Sequence, residues 1–145
     1  LPGSWGLGAS WNPTDNIVLA ADYRVIQWGG FEENGAKQVY AGGNSKFGDS
    51  TQFHLGGEYF FPKNHFNDFP WPWRVGFYTD PSGNLTSTGV ALYNAIYFTA
   101  GTSFLTDFGD VSLSGEFGTK DYAATSVGSS QESVFRVIAS MIYRF

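Results

Sequence analysis

The chain contains no cysteine, which excludes disulfides, thiolate nucleophiles and zinc-thiolate sites together. Charge is scarce as well: Asp, Glu, Lys and Arg make up 14% of 145 residues, against roughly a quarter of a typical soluble domain. A chain so short of charge has little with which to dress a water-facing exterior. What charge there is sums to −5, with only 8 basic residues. No basic stripe is available to neutralise phosphates, so nucleic acid is not expected as a partner. Histidine is limited to His54 and His65, and no serine sits in a nucleophile-elbow context, so no enzymatic activity is expected. Gly6-Leu7-Gly8 lacks the third glycine and the following helix of a phosphate loop, and no cofactor is expected. Long hydrophobic runs are missing too. The charge-free stretch between Asp80 and Asp107 is rich in Ser, Thr, Asn and Gly and cannot supply the roughly 20 apolar residues of a spanning helix. No secretory leader precedes Leu1, so the expectation is a mature polypeptide or a piece of one, forming a single domain over 1–145.

What the chain does have is aromatic residues, at 19%, 19 glycines, and a recurrent alternation of apolar and polar positions. Residues 4–11 place Trp5, Leu7, Ala9 and Trp11 on one face and Ser4, Gly6, Gly8 and Ser10 on the other, a period of two that specifies a strand. Asn12 to Asn16 supply turn chemistry. Residues 17–28 resume the pattern with Leu19, Ala21, Tyr23 and Val25 on the apolar side and Asp22 and Arg24 opposite, two charges placed to pair with each other. Residues 29–50 read as a long surface loop, with a brief hairpin expected near 37–41. The segment 51–61 sets Phe53, Leu55, Tyr59 and Phe61 against His54, Gly56, Glu58 and Phe60. A Pro-rich aromatic connection, 62–72, carries Phe66, Phe69 and Trp71, rings suited to a membrane–water boundary. Strands are then expected at 73–78 (Trp73, Val75 and Phe77 against Arg74, Gly76 and Tyr78), at 95–105 (Ile96, Phe98, Ala100 and Phe104) and at 111–118 (Val111, Leu113 and Phe117 against Ser112, Ser114 and Glu116).

The last segment, 132–145, has Phe135, Val137, Ala139, Met141, Tyr143 and Phe145 on one face and Arg136, Ser140 and Arg144 on the other. An aromatic carboxyl terminus, preceded two residues earlier by Tyr143 and then by apolar residues at each second step, resembles the signal that the barrel-assembly machinery reads in bacterial outer-membrane β-barrels. Connections alternate between short and long, as periplasmic turns and external loops do, and the strands are of the length that a tilted strand needs to cross hydrocarbon. The expected fold is therefore all-β, a transmembrane antiparallel β-barrel in contact with the lipid bilayer of the bacterial outer membrane. Seven strands are expected. Bacterial single-chain barrels have an even number, so either a strand near 37–42 is missing from this count or the chain is part of a larger barrel.

Several segments in succession resemble the C-terminal half of the long-chain fatty-acid transporter family of outer-membrane proteins, the FadL/TodX group. They are Leu1-Pro2 with GLGASW, NPTDNIVLAADY running into Gln27-Trp28, FHLGGEYFF, WRVGFYTDPSG, YFTAGTSF and the closing IYRF. The resemblance implies a 14-stranded barrel of which these are the last seven strands, completed by an N-terminal half or by another chain, and passive uptake of hydrophobic ligands such as fatty acids or hydrocarbons. No ligand-binding residue carries over by name. Only Met141, Tyr143 and Phe145 correspond position for position, as the assembly signal.

The face opposite the apolar one carries the lumen-facing candidates: Asp22, Arg24, His54, Glu58, Arg74, Glu116 and Arg136. Both signs are present, which favours mutual neutralisation over an ion filter. Phe60, Tyr78, Ile138 and Ile142 would add apolar lining. His54 and Glu58 cannot share a metal ion unaided, because residues four apart on a strand lie about 13 Å apart. His65 and Asp68 are expected to be solvated. A small barrel acting through loop residues Phe31, Tyr40, Phe47 and Tyr122 is the alternative to transport, and a soluble lipid-carrying barrel fits the alternation but not the low charge.

Overall fold

A computed structural model describes residues 2–33, 36–39, 41–61, 71–106, 109–123 and 130–143. Seven strands form one antiparallel sheet: β1 (Gly3–Thr14), β2 (Ile17–Gln27), β5 (Ser50–Phe61), β6 (Trp71–Thr79), β7 (Tyr93–Thr106), β8 (Gly109–Tyr122) and β9 (Gln131–Tyr143). Two short strands, β3 (Glu32–Glu33) and β4 (Ala36–Lys37), pair only with each other, after a single 3-10 turn at Trp28–Gly30. No α-helix is present among the described residues, and none is long and apolar enough to cross a membrane.

Every large strand pairs with its neighbour in sequence, the order being β1-β2-β5-β6-β7-β8-β9. The sheet is open, and β1 and β9 are its edges. Six antiparallel pairings separate them, so the two edge strands run in the same direction. Connections at one end are residues 15–16, 62–70 and 107–108; those at the other are 28–49, 80–92 and 123–130, so longer loops gather at one end of the sheet.

Because directly opposed residues share a face, the registers fix which side each residue occupies. Ala9, Ala21, Leu55, Phe77, Phe98, Phe117 and Phe135 stand in one row across all seven strands. The row beside it, Trp11, Leu19, Gly57, Val75, Ala100, Gly115 and Val137, is also uncharged throughout. This face is exposed: Leu7 is 76%, Phe98 57% and Phe135 72% accessible. Among the described residues only Val25, Pro72, Ala95 and Tyr97 are buried apolar side chains. The chain exposes 10064 Å², where a compact monomer of its mass would expose roughly 7,400 Å². The apolar residues line a surface and form almost no core.

Strand ends differ from the sequence expectation in several places. Residues 12–14 continue β1 instead of turning, with a register shift between Trp11 and Thr14. Pro13, which has no N–H to donate, falls within that irregularity on an edge strand, where a missing ladder donor is tolerated. β8 runs on to Tyr122, because Lys120 opposes Glu132 and Asp121 opposes Gln131, extending the ladder into what reads as loop. The hairpin expected near 37–41 lies at Glu32–Glu33 and Ala36–Lys37, with a further bridge from Val39 to Ser45. Phe66, Phe69, His65 and Asp68 of the expected 62–72 connection lie outside the described residues, whereas Trp71 belongs to β6 and hydrogen-bonds through Nε1 to Thr102 Oγ1.

Loops 28–49 and 80–92 are tied to each other. Gly48 N donates to Gly83 O at 2.9 Å, Leu85 N to Lys46 O at 2.8 Å, and Asn44 Nδ2 to Ser87 O at 2.6 Å. Trp28, Phe31 and Phe47 close into an aromatic cluster, with centroids 5.3 to 6.3 Å apart. A methyl at Gly83 would overlap the Trp28 ring.

Candidate functional site: the polar face of the sheet

The strand period of two puts all seven charged candidates on the face opposite the aromatic row, and cross-strand register decides who meets whom. Arg74 on β6 faces Glu58 on β5, and Nη2 reaches Oε1 at 2.7 Å. Its Nη1 donates to Ser103 Oγ at 2.6 Å, and that hydroxyl lies 2.9 Å from Ser112 Oγ. Arg136 on β9 faces Glu116 on β8, with Nε to Oε1 at 3.0 Å. Glu116 also accepts a hydrogen bond on Oε2 from the Tyr78 hydroxyl at 2.6 Å.

Asp22 and Arg24 do not pair with each other. Asp22 faces His54, with Oδ1 3.7 Å from Nδ1, and Arg24 faces Gln52. The reason is geometric. Alternate residues on one strand are nearly 7 Å apart along the chain, whereas directly opposed residues on neighbouring strands are about 5 Å apart. Gln52 in turn donates to Asp80 Oδ1 at 2.7 Å.

An aromatic series joins these pairs. His54, Tyr78 and Tyr97 are consecutive across β5, β6 and β7; His54 and Tyr78 have centroids 5.4 Å apart, and Tyr78 stacks on Tyr97 at 4.6 Å and 15°. Tyr97 lies against Gly118, where a methyl would overlap its ring, and Arg136 sits 5.7 Å over it. Tyr97 is missing from the sequence reading. The signal that finds it is its parity with Tyr78 together with a glycine on the next strand, but choosing Gly118 as its neighbour requires the register.

Two hollows flank this series. Toward the longer loops, one of about 250 Å³ is lined by Ile26, Trp28, Ser50, Gln52, Asp80 and Tyr93 among others. Toward the turns, one of about 350 Å³ is lined by Arg74, Thr99, Gly101, Ser112 and Ser114. Of the other lining candidates, Phe60 shares this face opposite Pro72, while Ile138 and Ile142 on edge strand β9 are 58% and 62% accessible. Among the described residues no group of three His, Cys, Asp or Glu is placed to hold a metal.

Of the three residues expected to form an assembly signal, Met141 opposes Val111 on the apolar face and the Tyr143 backbone opposes Gly109; Phe145 lies outside the described residues. Of the loop candidates, Phe31 and Phe47 pack on each other, Tyr122 belongs to β8 and donates to Glu132 at 2.8 Å, and Tyr40 lies outside the described residues. No protein-family model, curated protein or solved structure matches the chain.

Proposed function

We propose that this chain is part of a transmembrane β-barrel of the bacterial outer membrane, one that lets hydrophobic small molecules such as fatty acids pass without an energy source. The observation that carries the reading is the division of one sheet into two unlike faces. An apolar face that extends unbroken across seven strands is far larger than the few hundred Å² of apolar patch that a water-soluble monomer exposes. On the opposite face Glu58 and Glu116 are each ion-paired with an arginine of the neighbouring strand, an arrangement that suits charges enclosed away from bulk water. Acyl chains cover the first face, and the second encloses the path.

An open sheet cannot sit in hydrocarbon, because each unmet N–H or C=O at its edges costs several kcal/mol there. Further strands therefore complete the barrel. Since β1 and β9 run the same way, the completing segment contributes an odd number of strands if both seams are antiparallel. A second copy inserted in the same orientation would meet β1 with a parallel seam. That favours completion by a different segment, in agreement with the resemblance to the C-terminal half of a 14-stranded fatty-acid transporter.

The test is ligand binding by the complete barrel purified in detergent. Saturable binding of a fluorescent long-chain fatty acid, displaced by unlabelled oleate, is expected. A correctly folded barrel that binds no such probe, nor an aromatic hydrocarbon such as naphthalene, overturns the transport reading.

A further inference from the structure

The polar face has relief that the charge pairs alone do not explain. Along the row Asp22, His54, Tyr78, Tyr97 and Gly118, the Tyr78 and Tyr97 rings both lean toward β8, the first over the second. Tyr97 settles on Gly118 and is only 2% accessible, because Tyr78 stacks over it. Tyr78 belongs to β6, yet its hydroxyl reaches Glu116 on β8. It therefore crosses β7 above Tyr97, and the wall here is two aromatic rings thick. One step toward the turns the row reads Gly56, Gly76, Thr99, Glu116 and Arg136, and the next reads Glu58, Arg74, Gly101 and Ser114. At Gly56, Gly76 and Gly101 these rows carry no side chain, and no ring stacks on a second ring in either.

We infer that this ridge, with Tyr78 as its crest, narrows the interior at one level and sets the width of what passes. The inference rests on the barrel reading above. The crest is held from three sides: Tyr97 supports its ring, Glu116 fixes its hydroxyl, and Arg136 fixes Glu116 while lying over Tyr97. A side chain held this way keeps one position, which a size limit requires. A tyrosine needed only to brace the sheet would lie flat on the glycine, as Tyr97 does, and has no reason to stand over a second ring.

The experiment uses the complete barrel in liposomes and a graded series of neutral sugars, arabinose, glucose, sucrose and raffinose, read by swelling rate. Tyr78→Ala is expected to raise the swelling rate for the larger sugars at least several-fold and to move the size limit up by one member or more. Tyr78→Phe, which keeps the ring and loses the hydrogen bond, is expected to leave the limit in place. An unchanged limit in Tyr78→Ala overturns the inference, as does equal widening by both variants, or no swelling with either wild type or Tyr78→Ala. Faster migration on gels before heating than after establishes the folded barrel in each preparation. Failure of every preparation, wild type included, to show it sinks the barrel reading itself, whereas insertion with an unaltered limit sinks only the ridge.

Discussion

A glycine's neighbours on one face decide whether it tolerates a side chain, and two glycines three residues apart in β8 show the contrast. At Gly118 a methyl would overlap the Tyr97 ring, while at Gly115, on the apolar face, the nearest atom is the Arg136 carbonyl oxygen at 4.0 Å. Gly118→Ala is expected to destabilise the fold by about 1–3 kcal/mol, as overpacking does. Gly115→Ala is expected to be close to neutral. Equilibrium unfolding in urea of the two variants side by side checks this, and equal effects would contradict the packing described. Arg136→Ala leaves Glu116 with the Tyr78 hydroxyl as its remaining partner. Loss of a hydrogen-bonded charge partner costs about 1–3 kcal/mol, and a cycle combining Arg136→Ala with Glu116→Gln is expected to show that most of it is coupling between the two. At this scale the sequence shows which face Asp22, His54 and Tyr78 occupy, because parity is local. It does not show that Asp22 meets His54 and not Arg24, because pairing depends on where another strand stops sliding.

The elements gain their stability from one another across the sheet, since neither face of a single strand forms a core. Phe98 stands halfway along β7 in the aromatic row. If that row faces hydrocarbon, Phe98→Arg is expected to cost about 2–4 kcal/mol in lipid, the depth-dependent penalty of a cation at the midplane. Thr119→Arg, on the same face but nearer the loops, should cost about 1 kcal/mol or less. Reversible unfolding of both variants in liposomes measures the difference, and a penalty independent of depth would argue against a bilayer around this face. Terminal strand β9 has a separate expectation. The described β8–β9 ladder ends at Tyr143; on the reading of the closing residues as an assembly signal, removing Phe145 should lower the yield of heat-modifiable protein in the outer membrane severalfold while refolding from urea into detergent is little changed. The span of most strands is legible from their alternation. The last turn of β8 is not, because Lys120 and Asp121 carry the polarity of a loop and are held in the ladder by partners on β9.

Taken whole, the molecule is a two-sided wall with unpaired edges and an excess of exposed apolar surface. The complete protein is expected to require detergent or lipid to remain in solution and to resist unfolding in detergent until heated. A monodisperse species in plain buffer, observed by sedimentation, would rule out the membrane placement. The amino-acid sequence by itself determined the strand content, the two faces and the residues on each, because side-chain direction in a strand alternates with a period that adjacent residues impose. It also determined that the polar face would be mixed in charge. Only the tertiary structure decided the order of strands, the cross-strand partners of Asp22, Glu58 and Glu116, the ridge built from Tyr78 and Tyr97 over Gly118, and the tying of the two long loops. Those depend on register between segments tens of residues apart, and register is set by the fit of whole strands against one another, which no local pattern contains.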